Sequence, residues 1–361
     1  MAPPSPATGA AHPLKLLHIR LPSRIQYTTA LRLQDSLLNL HWRHRAALKA
    51  PTPTHKPPPP PPILLTFTTP PTYTVGRRHL QQHPLSPSQI AFLTRSATAA
   101  TFHASSRGGL LTYHGPGQLT AFPLVDLRRF GLSARCYVSL LEGAVIRTCD
   151  AFLATGNQLT QRRRRATGRS AGDPGVWMLT DDGEGGASDR KICALGVQVS
   201  RGVGGYGLGL NVRDEGIEEA ERGRFVFDDQ LPVPLPAGAS ADTDANAEAV
   251  VGEDGGSSDA EEKGYLSWGF GRIVACGLEG KRTTWLTREG ADPAQTHVGP
   301  VANRLAEELV LGLNEMSGSG KETVQGVRTL ELELAEGDVR DLETGVLRIE
   351  EMVEEERGIK S

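Results

Sequence analysis

Four short segments hold residue types and spacings that can do chemistry. The first runs Arg107-Gly-Gly-Leu-Leu-Thr-Tyr-His114-Gly-Pro-Gly-Gln118. Its glycines let backbone approach a ligand closely, while Arg107, Tyr113, His114 and Gln118 put polar groups on one loop. HGPG alone reads as a glycine turn with an incidental histidine; the Arg-Gly-Gly before it and the glutamine after it shift the reading to function. The second, Lys191-Ile-Cys-Ala-Leu-Gly-Val, reads as a strand with Lys191, Cys193 and Leu195 alternating onto one face. Burying an ammonium there is costly unless its charge is used; taken alone, it is a strand-end lysine whose head reaches water. The third, Gly202-Val-Gly-Gly-Tyr-Gly207, spells GxGxxG. A dinucleotide site needs a helix next, and Leu208–Val212 reads as strand. The glycines instead suit a strand passing close to a ligand or another backbone. The fourth, Ile273-Val-Ala-Cys276-Gly-Leu-Glu-Gly280, sets a cysteine at a strand end before glycine. That turn exposes the thiol and frees N–H groups to face an oxyanion. A free thiol has a pKa near ~8.5, so a nucleophile here needs an ammonium nearby, and Lys191 is the candidate. A lone cysteine is otherwise a small buried hydrophobe. Cys193 is the rival nucleophile with strand-interior flanks, and Cys136 and Cys149 fall on the apolar face of a helix.

These segments need a scaffold. Strands are expected at Leu16–Leu21, Ile63–Thr68, Thr101–Ala104, Leu110–Tyr113, Val176–Leu179, Ile192–Ser200 and Leu208–Val212. Leu31, Leu37, Leu38 and Trp42 set a helix over Tyr27–Ala47. Ser133 caps a second, running to about Ala154, with Val138, Leu141, Val145, Phe152 and Leu153 inward. Val301–Leu313 makes a third, and Arg328–Leu334 with Val346–Ile349 reads as a strand pair. The pattern is one α/β (α+β) domain with mixed sheets. Residues 1–13 read as disordered and Pro51–Pro62 as an exposed polyproline insertion. Gln161–Arg165 is a solvated basic loop, with no interleaved aromatic residue to suggest nucleic acid. Asp181–Asp189 is an acidic turn, 232–263 an acidic insertion too poor in large apolar residues to fold alone, and 314–361 an acidic extension.

The chain has 361 residues, 41 glycines, 25 prolines and a net charge of -3. Up to Val125 it carries twelve Lys or Arg and one acid, Asp35. That third is either a docking face for an acidic partner or a solvated basic surface. No stretch is long and apolar enough to span a bilayer, and the cysteine spacings match no zinc pattern. No metal, nucleic acid or membrane is expected. The start lacks a secretory pattern. Its acid-free run with Lys15, Arg20, Arg24 and Arg32 fits a mitochondrial transit peptide, yet from Leu14 the chain already reads as folded domain.

Taken in order, RGGLLTYHGPGQL, DPGVWM, KICALGVQVSRG, GLGLNV and ACGLEGKRTTWL resemble the lipoyl(octanoyl) transferases, from about Leu14 to Leu313. The resemblance implies a biotin/lipoate protein ligase-like catalytic domain over 14–313, with insertions at about 51–62, 181–189 and 232–263, and no cofactor, since the donor is already a thioester. It implies octanoyl transfer from octanoyl-acyl carrier protein to a lysine of lipoyl domains, either of 2-oxoacid dehydrogenases or of glycine cleavage H protein, in the mitochondrion. Cys276 would be the nucleophile and Lys191 the group that lowers its pKa. Arg107, Gly108, Gly109, Leu110, Leu111, Thr112, Tyr113 and His114, with Ala194, Leu195, Gly196, Gly207, Leu208 and Gly209, would bind the acyl chain. Lys191 or His114 would serve as base for the acceptor amine. Two departures stand out. Tyr206 replaces the family's histidine, and Trp285 a small residue beside Thr284. An ATP-dependent ligase and a catalytically degenerate acyl- or carrier-binding protein are the competing readings.

Overall fold

The computed structural model describes residues 13–49, 59–94, 100–154, 164–167, 174–180, 190–215, 265–273, 282–318, 321–334 and 339–356. The main sheet has the strand order β12-β1-β2-β6-β10-β9-β8-β7. These strands are β1 (Leu16–Arg24), β2 (Ile63–Thr68), β6 (Gln118–Leu124), β7 (Arg164–Thr167), β8 (Val176–Thr180), β9 (Arg190–Ser200), β10 (Val203–Asn211) and β12 (Val327–Glu331). β1 lies parallel to both β2 and β12, and the remaining neighbours on this path are antiparallel. A smaller sheet, β4-β3-β5, holds β3 (Thr72–Gly76), β4 (Thr101–Ser105) and β5 (Thr112–His114). The mixed-sheet α/β expectation holds.

Both faces of the main sheet are covered, so its inner strands are apolar on both sides. In β1, Leu16 joins one core while Leu17, Ile19 and Leu21 join the other. The first core is closed by α4 (Ala134–Ala154) and α6 (Val298–Met316) through Leu141, Val145, Leu305 and Leu309. The expected cap is present: Cys136 N–H, at the third helical position, donates to Ser133 Oγ at 3.1 Å. The second core is closed by α1 (Tyr27–Leu48) and α7 (Val339–Glu356). A third cluster fills the space between the small sheet, α3 (Pro87–Thr94) and α5 (Tyr265–Gly271), around Tyr73, Tyr113 and Trp268.

Several expectations change. Val346–Ile349 lies in α7, not in a strand. Ile349 and Val353 are four apart, one helical turn, and both are buried in the second core. Pro60, Pro61 and Pro62 are buried rather than exposed, because Pro62 O accepts from Leu17 N–H at 2.9 Å and Pro60 O from Arg129. The basic loop at 161–165 gives way to strand at Arg164. The GxGxxG stretch runs from the turn at Gly202 into β10, as its strand-like sequel implied. The expected segments 1–12, 51–58, 181–189 and 232–263 lie outside the described residues.

Candidate active site

β10 ends its pairing with β9 at Leu210 opposite Cys193. The short β11 (Arg282–Thr283) then takes its place beside the start of β9, with Thr283 opposite Lys191. That switch brings Lys191, the HGPG loop and the chain beyond β11 to one end of the sheet. There a cavity of about 270 Å³ opens, mostly apolar in lining. It lies just below the ~300–1,000 Å³ range of drug-sized ligand sites, a size suited to a slender chain.

Thirteen of the expected site residues line it: Arg107, Gly108, Gly109, Leu110, Thr112, His114, Lys191, Ala194, Leu195, Gly196, Gly207, Leu208 and Gly209. Leu111 and Tyr113 do not. They pack into the third core, because alternate residues approaching and along β5 face opposite ways. Cys276 lies outside the described residues.

Arg107 is a buried keystone. Its guanidinium donates to Gly108 O at 2.9 Å, Thr74 O at 2.9 Å, Thr74 Oγ1 at 2.8 Å and Leu110 O at 3.1 Å. Gly108 N–H donates to Val197 O at 3.0 Å, tying the Arg-Gly-Gly turn to β9. Gly109 sits at φ +92, where a side chain would be strained. Gly196 has no side chain where a Cβ would come within 2.9 Å of Arg107 Cδ.

Lys191 is 5% exposed and its Nζ lies 4.7 Å from the centre of the Trp177 ring. It does not reach out to water as an isolated strand-end lysine would. Cys193, the rival nucleophile on the same strand, is wholly buried, and burial pushes its thiol well above the ordinary range. Burial likewise raises Cys149.

His114 is held neutral at pH 7. Burial, then the nearby Arg107 charge, lower its pKa to about 4, against the opposing hydrogen bond to Gln118. Its ring stacks on Tyr27 at 5.3 Å, and Nδ1 lies 2.7 Å from Gln118 Oε1. A chain of bonds runs on from there. Gln118 Nε2 donates to Asn211 Oδ1 at 2.9 Å, and Asn211 Nδ2 to Thr284 O at 2.9 Å. Thr284 N–H donates to Lys191 O at 3.0 Å, and its hydroxyl to Glu289, which grips Arg190 at 2.9 and 3.0 Å. Asn211, Glu289 and Tyr27 were not singled out from sequence. Nor was Glu142, whose Oε1 accepts from Gly175 N–H at 3.1 Å. Glu142 had a legible signal, an acid four residues from Val138 within an apolar helical stripe. Tyr206 also lines the cavity. Its φ is +54, its N–H donates to Gln34 Oε1 at 2.5 Å, and its hydroxyl meets Ser106 Oγ at 3.0 Å.

The family model of the lipoyl protein ligase A/B catalytic domain matches residues 26–218. An octanoyltransferase of Acidobacterium capsulatum is 36% identical over 206 residues, covering 55% of this chain and 70% of that protein. A human protein named as a mitochondrial octanoyl-acyl-carrier-protein:protein N-octanoyltransferase is 35% identical over 190 residues, covering 52% of this chain and 69% of its own. An octanoyltransferase of Flavobacterium psychrophilum is 40% identical over 143 residues, covering 39% of this chain and 53% of that one. The chain thus spans between about half and seven-tenths of these relatives. It belongs to the octanoyltransferase family, acyltransferases built on the lipoyl protein ligase A/B catalytic domain.

Proposed function

We propose that this protein moves an octanoyl group from octanoyl-acyl carrier protein, through a thioester on Cys276, to a lysine of a lipoyl domain. The acceptors would be lipoyl domains of 2-oxoacid dehydrogenases or glycine cleavage H protein, and the setting the mitochondrion, as for the human relative. Residues 14–313 form the catalytic domain in this reading. The observation that carries it is the apolar cavity with a buried lysine in its wall. Burying the seven carbons beyond an octanoyl carbonyl is worth roughly 5 kcal/mol.

The chemistry closes on itself. Cys276 thiolate attacks the donor's thioester carbonyl, and the departing carrier thiolate takes a proton from Lys191 ammonium. The acceptor's neutral amine then attacks the acyl-enzyme. A C–N bond forms, the C–S bond breaks with its electron pair returning to Cys276 Sγ, and the amine proton goes to Lys191 Nζ. Splitting the transfer in two lets a nucleophilic thiolate do the first half, and Lys191 ends as it began.

Intact-mass spectrometry tests this. After mixing with octanoyl-acyl carrier protein, the expected result is one added octanoyl group, discharged by a lipoyl domain and absent in Cys276→Ala. Unmodified, folded protein, or an adduct that survives Cys276→Ala, rejects it; a transfer requiring ATP would then assign a ligase.

A further inference from the structure

We infer that Gln118 and Asn211 are positioning residues that hold His114 as its Nδ1–H tautomer, so that Nε2 accepts a hydrogen bond from the amine of the acceptor lysine. The inference rests on the acyl-transfer reading above. Asn211 is oriented first. Its Nδ2 donates to the Thr284 carbonyl at 2.9 Å, so its Oδ1 faces Gln118. Gln118 must therefore present its amide nitrogen there, at 2.9 Å, and the same nitrogen donates to Tyr113 O at 3.2 Å. Its Oε1 is left facing His114 Nδ1 at 2.7 Å. A carbonyl oxygen only accepts, so Nδ1 carries the ring's proton. The imidazole is neutral, and the lone pair falls on Nε2 of a ring that lines the cavity.

Burial and Arg107 make that ring a poor proton carrier but leave a fixed acceptor. Proton transfer stays with Lys191, and His114 aims the amine. A hydrogen bond to one N–H fixes the direction of the nitrogen lone pair, the kind of orientation that converts binding into rate. The chain of bonds starts at the backbone of Lys191 itself, through Thr284 N–H. The acceptor and the proton carrier are thus set by one hydrogen-bonded frame. Gly209 leaves room for it, since a Cβ there would lie 2.7 Å from Gln118 Oε1.

Long-range proton–nitrogen correlation spectra of the full chain read the tautomer, with His114 assigned by signal loss in His114→Asn. A neutral ring protonated on Nδ1 at pH 7 is expected; protonation on Nε2, or an imidazolium, overturns the inference. Acyl loading and discharge are then timed separately. Gln118→Met should slow discharge to the acceptor about tenfold, the loss of the bond between His114 Nε2 and the amine, and slow loading by less. Gln118→Glu keeps an acceptor opposite Nδ1 but loses the donor to Asn211 and Tyr113, and should discharge faster than the methionine variant. Slowing of loading and discharge alike in the methionine variant, or unaltered discharge, refutes the positioning role. If that variant fails to fold, the wild-type spectra decide. Absence of any acyl-enzyme from wild type sinks the transfer reading and the amine-aiming role with it, and the tautomer still stands or falls on its nitrogen shifts.

Discussion

Gly196 and Arg107 show how tightly single residues set the site. Adding one methyl in Gly196→Ala puts a Cβ at 2.9 Å from Arg107 Cδ and 3.0 Å from Nη1. The guanidinium must then yield some of its bonds to Thr74, Gly108 and Leu110. Overpacking of this kind costs roughly 1–3 kcal/mol. The expected outcome is a lower urea midpoint and acyl loading slowed tenfold or more; loading at the wild-type rate would show that Arg107 has slack. Arg107, His114 and Lys191 were legible because polar residues beside glycines, or among apolar strand neighbours, are costly without a use. Leu111 and Tyr113 were placed in the site by resemblance, and strand alternation turns them into the third core. Asn211 and Glu289 were not legible. Their roles come from partners 93 and 99 positions away in the chain, which no local pattern encodes.

Among the elements, the longer ones followed their periodicity. α4 and α6 stand where their apolar stripes fell, and β9 extends its expected range only at its N-terminal end. The short helices α2 (Arg77–Gln82) and α3 were not seen, since six and eight residues carry little periodicity. The strand reading of Val346–Ile349 fails because the apolar spacing continues a turn further, to Val353. α2 leaves Arg77 and Arg78 exposed, with Arg78 in the cavity lining. An acidic acyl carrier protein would meet these charges first. Reversing both, Arg77→Glu with Arg78→Glu, should raise the donor concentration needed for half-maximal loading severalfold at low salt. The defect should shrink as salt screens the encounter. A salt-independent defect, or none, removes α2 from the docking surface.

For the whole molecule, buried histidines make stability depend on pH. His18, His41 and His114 are each lowered to about 4, chiefly by burial. The unfolded chain, with histidine near ~6.5, binds protons that the fold refuses between these values. Stability is therefore full above pH 6.5, falls as pH drops toward 4, and levels below that. Each histidine contributes up to roughly 3 kcal/mol across this window. Urea midpoints measured from pH 7 to 4.5 should fall steadily; a flat profile would show that these rings are protonated in the native state. The core that hosts them was legible as one mixed α/β unit. How the acidic extension completes it was not, because β12 beside β1 and Ile349 in the second core are long-range pairings.

Glu215 and Tyr265 lie far apart in sequence, yet Tyr265 N–H donates to Glu215 O at 3.1 Å. Asp214 adds to this link, accepting from Leu266 N–H at 2.7 Å and Ser267 N–H at 3.0 Å. Two points distant in the chain are thus stitched together by hydrogen bonds. Closing a flexible loop twice as long adds only about 0.6 kcal/mol. An insertion or deletion between these two anchors would leave the strands and helices on either side in register.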